Sequence, residues 1–182
     1  ASYMVDIYPK ALDKLNEYDL LDYYKNIELE LSYVLYEMEK EGVSCDINEL
    51  DKIASKTNEK LKELQADIYA LAGEEFNINS PMQLKDIIYN KLDLPNLKKD
   101  STDAEVLNKL VDYHPIISKI LDYRKYSKLN STYAEGLKKY IGSDGKIHSI
   151  FSQTSTATGR LSSSEPNMQN ISIRDEELRE IR

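Results

Sequence analysis

The sequence predicts a mainly α-helical chain with a small β element: two long antiparallel helices with a short helical tip, followed by a strand-and-loop segment. Three features lead there. Apolar residues recur at helical spacing over several long stretches, glycines stand where those stretches stop, and beyond Gly142 the chain turns polar with one alternating run.

Residues 9–24 and 27–41 read as two amphipathic helices. The second has Ile27, Leu31, Val34, Leu35 and Met38 on one face and Gly42 as its stop. The next helix begins with a capping box, Asp46 and Glu49, and carries Leu50, Ile53, Thr57, Leu61, Leu64, Ile68 and Leu71 at helical spacing before ending at Gly73. At 1.5 Å per residue it is roughly 35–40 Å long, a lever rather than a compact-core element. Ser80-Pro81-Met82-Gln83 and Thr102-Asp103-Ala104-Glu105 supply two further capping boxes for two short helices, with Pro81 at a first helical position.

A second long helix starts near Pro115. Ile117, Ile120, Leu121, Leu129, Tyr133, Leu137 and Tyr140 lie along one stripe, and it stops at Gly142. Two such helices around a small helical pair make an antiparallel arm with a helical tip. Ser143-Asp144-Gly145 is a turn signal, and residues 146–153 alternate as a strand. Residues 152–170 are too polar for a core element. Such a stretch is either a plain loop or a surface built for a partner.

With 182 residues, 41% hydrophobic and 31% charged, the composition is that of a soluble, helix-rich globular chain of one domain or one and a half. No apolar run approaches the ~18 residues of a membrane span. The first residues lack a basic-then-apolar leader, and the single cysteine, Cys45, is expected as a small buried filler. Together these point to the cytoplasm. Two histidines and one cysteine offer no zinc site or Cys–His nucleophile, and no G-x-x-x-x-G-K-[ST] loop occurs. The fourteen tyrosines are expected mostly as core or rim packing.

The net charge of −8 is unevenly spread. Residues 1–75 hold 8 basic and 18 acidic side chains, residues 76–117 hold 5 and 6, and residues 118–182 hold 11 and 8. The basic surplus falls where the polar motifs are, so an acidic whole is compatible with a local DNA-facing surface.

The polar stretch reads Thr156-Ala157-Thr158-Gly159-Arg160-Leu161-Ser162-Ser163, then Pro166-Asn167-Met168-Gln169-Asn170-Ile171. It resembles the T-x-T-G-R-L-S-S and P-N-L-Q-N-I-P pattern of family A (bacterial DNA polymerase I type) DNA polymerases, with roughly a dozen positions in order and spacing. Lys128-Leu129-Asn130-Ser131-Thr132-Tyr133 is similar to that family's K-L-K-S-T-Y, and Phe76-Asn77-Ile78-Asn79-Ser80 with Gln83-Leu84 to its F-N-x-x-S-x-x-Q-L. The resemblance runs from about residue 27 to 182. It implies that residues 1–26 are the tail of a preceding exonuclease-like domain with a connecting helix, that residues 27–142 are the helical region containing the polymerase thumb, and that residues 143–182 begin the palm.

Donor side chains in the minor groove can test pair geometry without reading sequence, because every Watson–Crick pair presents acceptors there in nearly the same places. Arg160, Asn167, Gln169 and Asn170 are such donors, and the resemblance implies that role near the primer terminus for Arg160 and Gln169. Asn79, Ser80, Ser101 and Thr102, at or beside the short-helix starts, suit phosphate oxygens, with Lys98 and Lys99 nearby. The resemblance sets the face of Lys128, Ser131 and Thr132, with Arg124 and Lys125 one turn earlier, against the duplex backbone. The plainer readings are a solvated polar loop, ordinary helix caps and a solvated basic face.

Asn130 replaces a family lysine, Ser172 a proline and Met168 a leucine, and the tip between Lys99 and Ser101 is short. The family's first metal-binding aspartate belongs to a D-Y-S-x-I-E-L-R strand beyond Leu178-Arg179-Glu180-Ile181-Arg182, and its nucleotide-binding helix lies further on. The chain is thus expected to bind primer–template duplex in replication or repair, near the bacterial nucleoid, and not to polymerise by itself. Magnesium is expected for the parent polymerase and no cofactor for this segment. The remaining polymerase chain is an expected partner, and self-association through an open palm edge is plausible on this reading. The rival is a non-catalytic helical module that docks a protein through its acidic front half and binds no DNA; a third reading makes the parent a degenerate polymerase.

Overall fold

The structure is a computed structural model describing residues 2–171. Ser172 and the segment ending Leu178–Arg182 lie outside the described residues. Two compact units form, and the first joins residues 1–45 to 140–171.

In that unit α1 (Ser2–Glu17), α2 (Leu21–Tyr23) and α3 (Leu29–Glu41) follow one another, with a π-helical turn over Tyr24–Glu28 leading into α3. Helix α1 contains Pro9 rather than starting at it. The proline ring denies a donor to the Val5 carbonyl, which sits in an exposed stretch where water can serve it. Gly42 ends α3 with φ +67, a conformation only glycine adopts cheaply. The amphipathic pattern located the helices, but the apolar faces are not covered within the described residues: Tyr33, Val34 and Met38 are exposed, and of that α3 face only Leu35 is buried.

Strand β1 (Val43–Ser44) pairs antiparallel with β2 (Lys146–Ile147), and β3 (Ile150–Ser152) pairs with β4 (Ser162–Ser164). The single strand expected over residues 146–153 is therefore split, because β2 and β3 serve different partners on either side of His148 and Ser149. The turn before β2 is as expected. Gly145 takes φ +76, and the Asp144 carboxylate accepts from the Lys146 amide at 3.1 Å. The polar stretch is not all loop either. Ser163 is buried in β4 and shares the Pro166 carbonyl with buried Ser149. Cys45 is only half-buried.

The second unit, over residues 46–139, is the helical arm. Helix α4 (Ile47–Ala72) has 26 residues, about 39 Å. Asp46 caps it by accepting from the Asn48 amide at 2.8 Å. Glu49 pairs with Lys52 instead of closing the box. After α5 (Pro81–Lys85), prolonged by a π-helical stretch over Asp86–Lys91, and α6 (Ala104–Leu110), the chain returns through α7 (Ile116–Lys128) and a second π-helical stretch, Leu129–Ala134. Lys119 meets Asp67 at 2.6 Å, Asn130 meets Asn58 at 2.9 Å and Lys138 meets Asp51 at 2.5 Å. One number rises as the other falls, so the two long helices are antiparallel.

The core of the arm lies at its tip. Ile68 and Ala72 of α4, Leu84, Ile87 and Ile88, Leu107 and Leu110 of α6, and Ile116, Ile117 and Ile120 of α7 form one buried cluster. The fully apolar sides of the two short helices are what fix the tip on the levers. The return helix ends sooner than its sequence stripe, at Ala134, and a separate 3-10 turn covers Leu137–Tyr140. Gly136 lies in the break, where the backbone passes so close that an added Cβ would lie 2.2 Å from the Thr132 carbonyl oxygen. Leu129, Tyr133 and Ala134 of the π-helical stretch are buried.

Candidate nucleic-acid interface

Strands β3 and β4 project a loop over residues 153–161, and a short 3-10 turn, Met168–Asn170, follows β4. Gly159 enters Arg160 with φ +73 and open space around it, so its requirement is conformational rather than steric. The Thr156 hydroxyl donates to the Arg160 carbonyl at 2.5 Å, closing the loop tip and leaving the Arg160 side chain exposed. Asn167 caps the 3-10 turn, its side-chain oxygen accepting from the Gln169 amide at 3.0 Å. The Gln169 side chain donates to the Leu161 carbonyl at 3.0 Å. Arg160, Asn167, Gln169 and Asn170 are all exposed, and this hydrogen bond brings the Arg160 and Gln169 segments together.

Sequence reasoning missed the support beneath them. Buried Ser163 donates to the Pro166 carbonyl at 3.2 Å and accepts from the Met168 amide at 3.3 Å, while Ser149 donates to the same carbonyl at 3.1 Å. The Glu165–Pro166 bond is cis. Gln153, at the foot of the loop, donates to both the main-chain and side-chain oxygens of Glu28. The only signal for Ser163 was its place in the T-x-T-G-R-L-S-S pattern; a serine hydroxyl's direction is not written in a sequence.

The arm carries a separate set. Ser80 caps α5 by accepting from the Gln83 amide at 3.4 Å, and the Gln83 side chain returns the favour to the Asn77 amide at 2.7 Å. Asn79 is exposed beside that cap, its amide bonded to the Asn77 side chain. Thr102 does not cap α6; Asp103 occupies the cap position. The Thr102 carbonyl and hydroxyl instead accept from Arg124, which is thereby turned inward, and burial lowers the guanidinium pKa from its ordinary value. Arg124 thus braces α7 against the tip rather than facing outward. The Ser101 hydroxyl accepts from the Asp103 amide at 3.2 Å.

Between Asn96 and Ser101 the shortened tip is held by Asp100, which bonds Lys85 and Asn96. The Lys85 contact holds the Asp100 carboxyl below its ordinary range. Lys98 and Lys99 remain exposed there. On the return helix Lys128, Ser131 and Thr132 are exposed, whereas Asn130 faces α4 through its bond to Asn58.

Residues 47–182 match the model of DNA polymerase family A. The chain belongs to DNA polymerase family A. It is 47% identical over 178 residues to DNA polymerase I of Bacillus subtilis (strain 168), covering 95% of this chain and 20% of that relative. It is 51% identical over 179 residues to DNA polymerase I of Bacillus caldotenax, covering 94% of this chain and 20% of the relative. Among solved structures it is similar to the POL domain of Pol1 from M. smegmatis in complex with DNA primer-template and dNTP. The TM-score there is 0.88 at 36% identity, over 93% of this chain and 31% of that one. The chain thus spans about a fifth of the length of the relatives it matches. A mainly helical fold with small antiparallel strand pairs is what such a family A segment is expected to have, and it is what the chain has.

Proposed function

We propose that this chain is the duplex-gripping part of a DNA-directed DNA polymerase, holding primer–template through minor-groove donors in one unit and phosphate contacts in the other. The observation that carries it is the exposed donor strip of Arg160, Asn167, Gln169 and Asn170, supported from beneath by Ser163, in a chain of family A. A plain surface loop has no need of a buried hydroxyl joining its two halves. On the arm, exposed Asn79, Lys128, Ser131 and Thr132, with the outer faces of Ser80, Ser101 and Thr102, position the backbone without reading sequence.

Polymer extension needs metal ions held by carboxylates, magnesium in the parent enzyme. Among the described residues no group of three or more His, Cys, Asp or Glu side chains is placed to hold a metal ion. No step of the proposed role passes through one, and the chain by itself is proposed to bind duplex without extending it.

The test is a titration of the 182-residue chain with a fluorescent primer–template duplex at low salt, repeated with R160A and Q169A. Binding that weakens in both variants is the expected result. Affinity unchanged in both, or no binding by the wild-type chain, sinks the reading and favours a protein-docking module instead.

A further inference from the structure

The last turn of α3 offers main-chain carbonyls that no helical amide satisfies, and two cationic side chains from the segment before β3 reach them. Lys146 donates to the Glu41 carbonyl at 2.9 Å and to the Glu41 carboxylate at 2.6 Å. His148 lies with Nδ1 2.7 Å from the Glu39 carbonyl and Nε2 3.0 Å from an Asp144 carboxylate oxygen. A carbonyl and a carboxylate accept and cannot donate, and a neutral imidazole has one N–H. Both contacts are therefore made together only by the doubly protonated ring.

That ring, partly open to solvent, lies close against Gly42. An added Cβ at Gly42 would stand 2.7 Å from His148 Cε1. Directly after it, Ser149 bonds the Pro166 carbonyl and the Phe151 amide donates to the Glu39 carboxylate at 2.6 Å. Ser149, just before β3, is thus tied to the segment that carries Gln169, and Phe151, the second residue of β3, to the end of α3.

We propose that His148, as an imidazolium, is a positioning residue for the β3–β4 loop, a latch that holds β3 to the end of α3 and releases it when the ring loses its proton. The part of this that concerns DNA rests on the proposed function. The groups facing the ring are the Asp144 carboxylate on the turn, Lys146 of β2, and Glu39 and Glu41 at the end of α3. The Glu39 carbonyl contact and then Asp144 raise the His148 pKa above its ordinary 6.5, opposed by desolvation and by Lys146. Asp144 is held below its ordinary 3.8, chiefly by the same His148 contact.

The signs define a window. A raised folded-state histidine pKa contributes stability that is complete below about 6.5 and is lost as pH rises through the folded value. A depressed carboxylate contributes stability present above its ordinary value and lost as pH falls through its folded one. The latch is therefore closed between the two.

The experiment is an NMR titration of the full 182-residue chain, which has only two histidines, His114 and His148. The variant H148Q assigns the signals, and D144N, nearly isosteric, removes one acceptor's charge without removing the ring. Expected are a His148 pKa above 6.5, a fall of that pKa in D144N with His114 unmoved, and a Phe151 amide protection factor that drops as pH rises through the His148 value. A His148 that titrates at or below 6.5, or Phe151 protection that is flat across its titration, overturns the latch. Duplex binding measured over the same range separates the two proposals: a raised His148 pKa with the Phe151 drop, but no duplex binding at any pH, upholds the latch and overturns the proposed function.

Discussion

The side-chain amide of Gln169 donates to the main-chain carbonyl of Leu161, one residue beyond Arg160, so two of the proposed DNA donors share one hydrogen bond's worth of order. Gln169 then has two effects on binding, a direct one and one through the loop. R160A is expected to weaken duplex binding about tenfold, the loss of a charged hydrogen bond of about 1.5 kcal/mol. Q169A is expected to weaken it by a similar factor, and the double variant by less than the product. Full additivity in a four-way titration would show that the Leu161 contact does not couple them.

Duplex affinity is expected to fall steeply with salt, log K declining linearly with log salt at a slope of about −0.9 per neutralised phosphate. K128M is expected to shallow that slope by about one while leaving base-pair sequence without influence. A salt-insensitive complex would contradict the phosphate contacts proposed for the arm.

Gly136 closes the return helix where a Cβ would collide with the Thr132 and Ser131 carbonyls at 2.2 and 2.7 Å. G136A is expected to destabilise the arm by about 1–3 kcal/mol, as other overpacking changes do. Urea unfolding followed by far-ultraviolet dichroism measures it, and an unchanged midpoint would mean the backbone yields at no cost.

Asn130 and Asn58 join the two long helices at 2.9 Å, while the Asn130 side-chain oxygen is buried with no partner among the described residues. A double-mutant cycle with N58A and N130A is expected to return a coupling of about 1 kcal/mol. The cost of N130A alone is reduced by removal of the unsatisfied oxygen. Zero coupling would make the contact incidental.

At the tip, Asp100 is depressed by Lys85 and Asn96. Its contribution is present above the ordinary carboxylate value of 3.8 and disappears as pH falls through the folded-state value. Acid is thus expected to loosen residues 96–101, and D100N to remove that sensitivity. Amide exchange at Ser101, whose amide bonds the Lys98 carbonyl at 2.8 Å, reports it.

Periodicity and punctuation placed α4 between its cap at Asp46 and its stop at Gly73, the cap of α5 at Ser80 and the stop of α3 at Gly42, because a 3.6-residue repeat and a positive-φ glycine are local properties of a chain. It overran the return helix because the stripe through Tyr133 and Leu137 continues while the backbone does not: the π-helical turn and Gly136 depend on carbonyl positions a pattern cannot hold. It ran residues 146–153 together as one strand because strand partners, which divide them into β2 and β3, are a long-range choice. It also read Thr102 as a cap, where competition from Arg124, 22 residues away, decides. The tyrosines escaped too. Tyr33, Tyr36 and Tyr113 are exposed rather than packed.

The Ser163 hydroxyl, hidden from solvent, joins the Pro166 carbonyl to the Met168 amide. Its removal would touch none of the groups presented to a ligand and still unfasten the surface that presents them. Surface scanning by charge or exposure would pass over this residue, and damage there would look like a loss of the proposed recognition while every side chain proposed to recognise was intact.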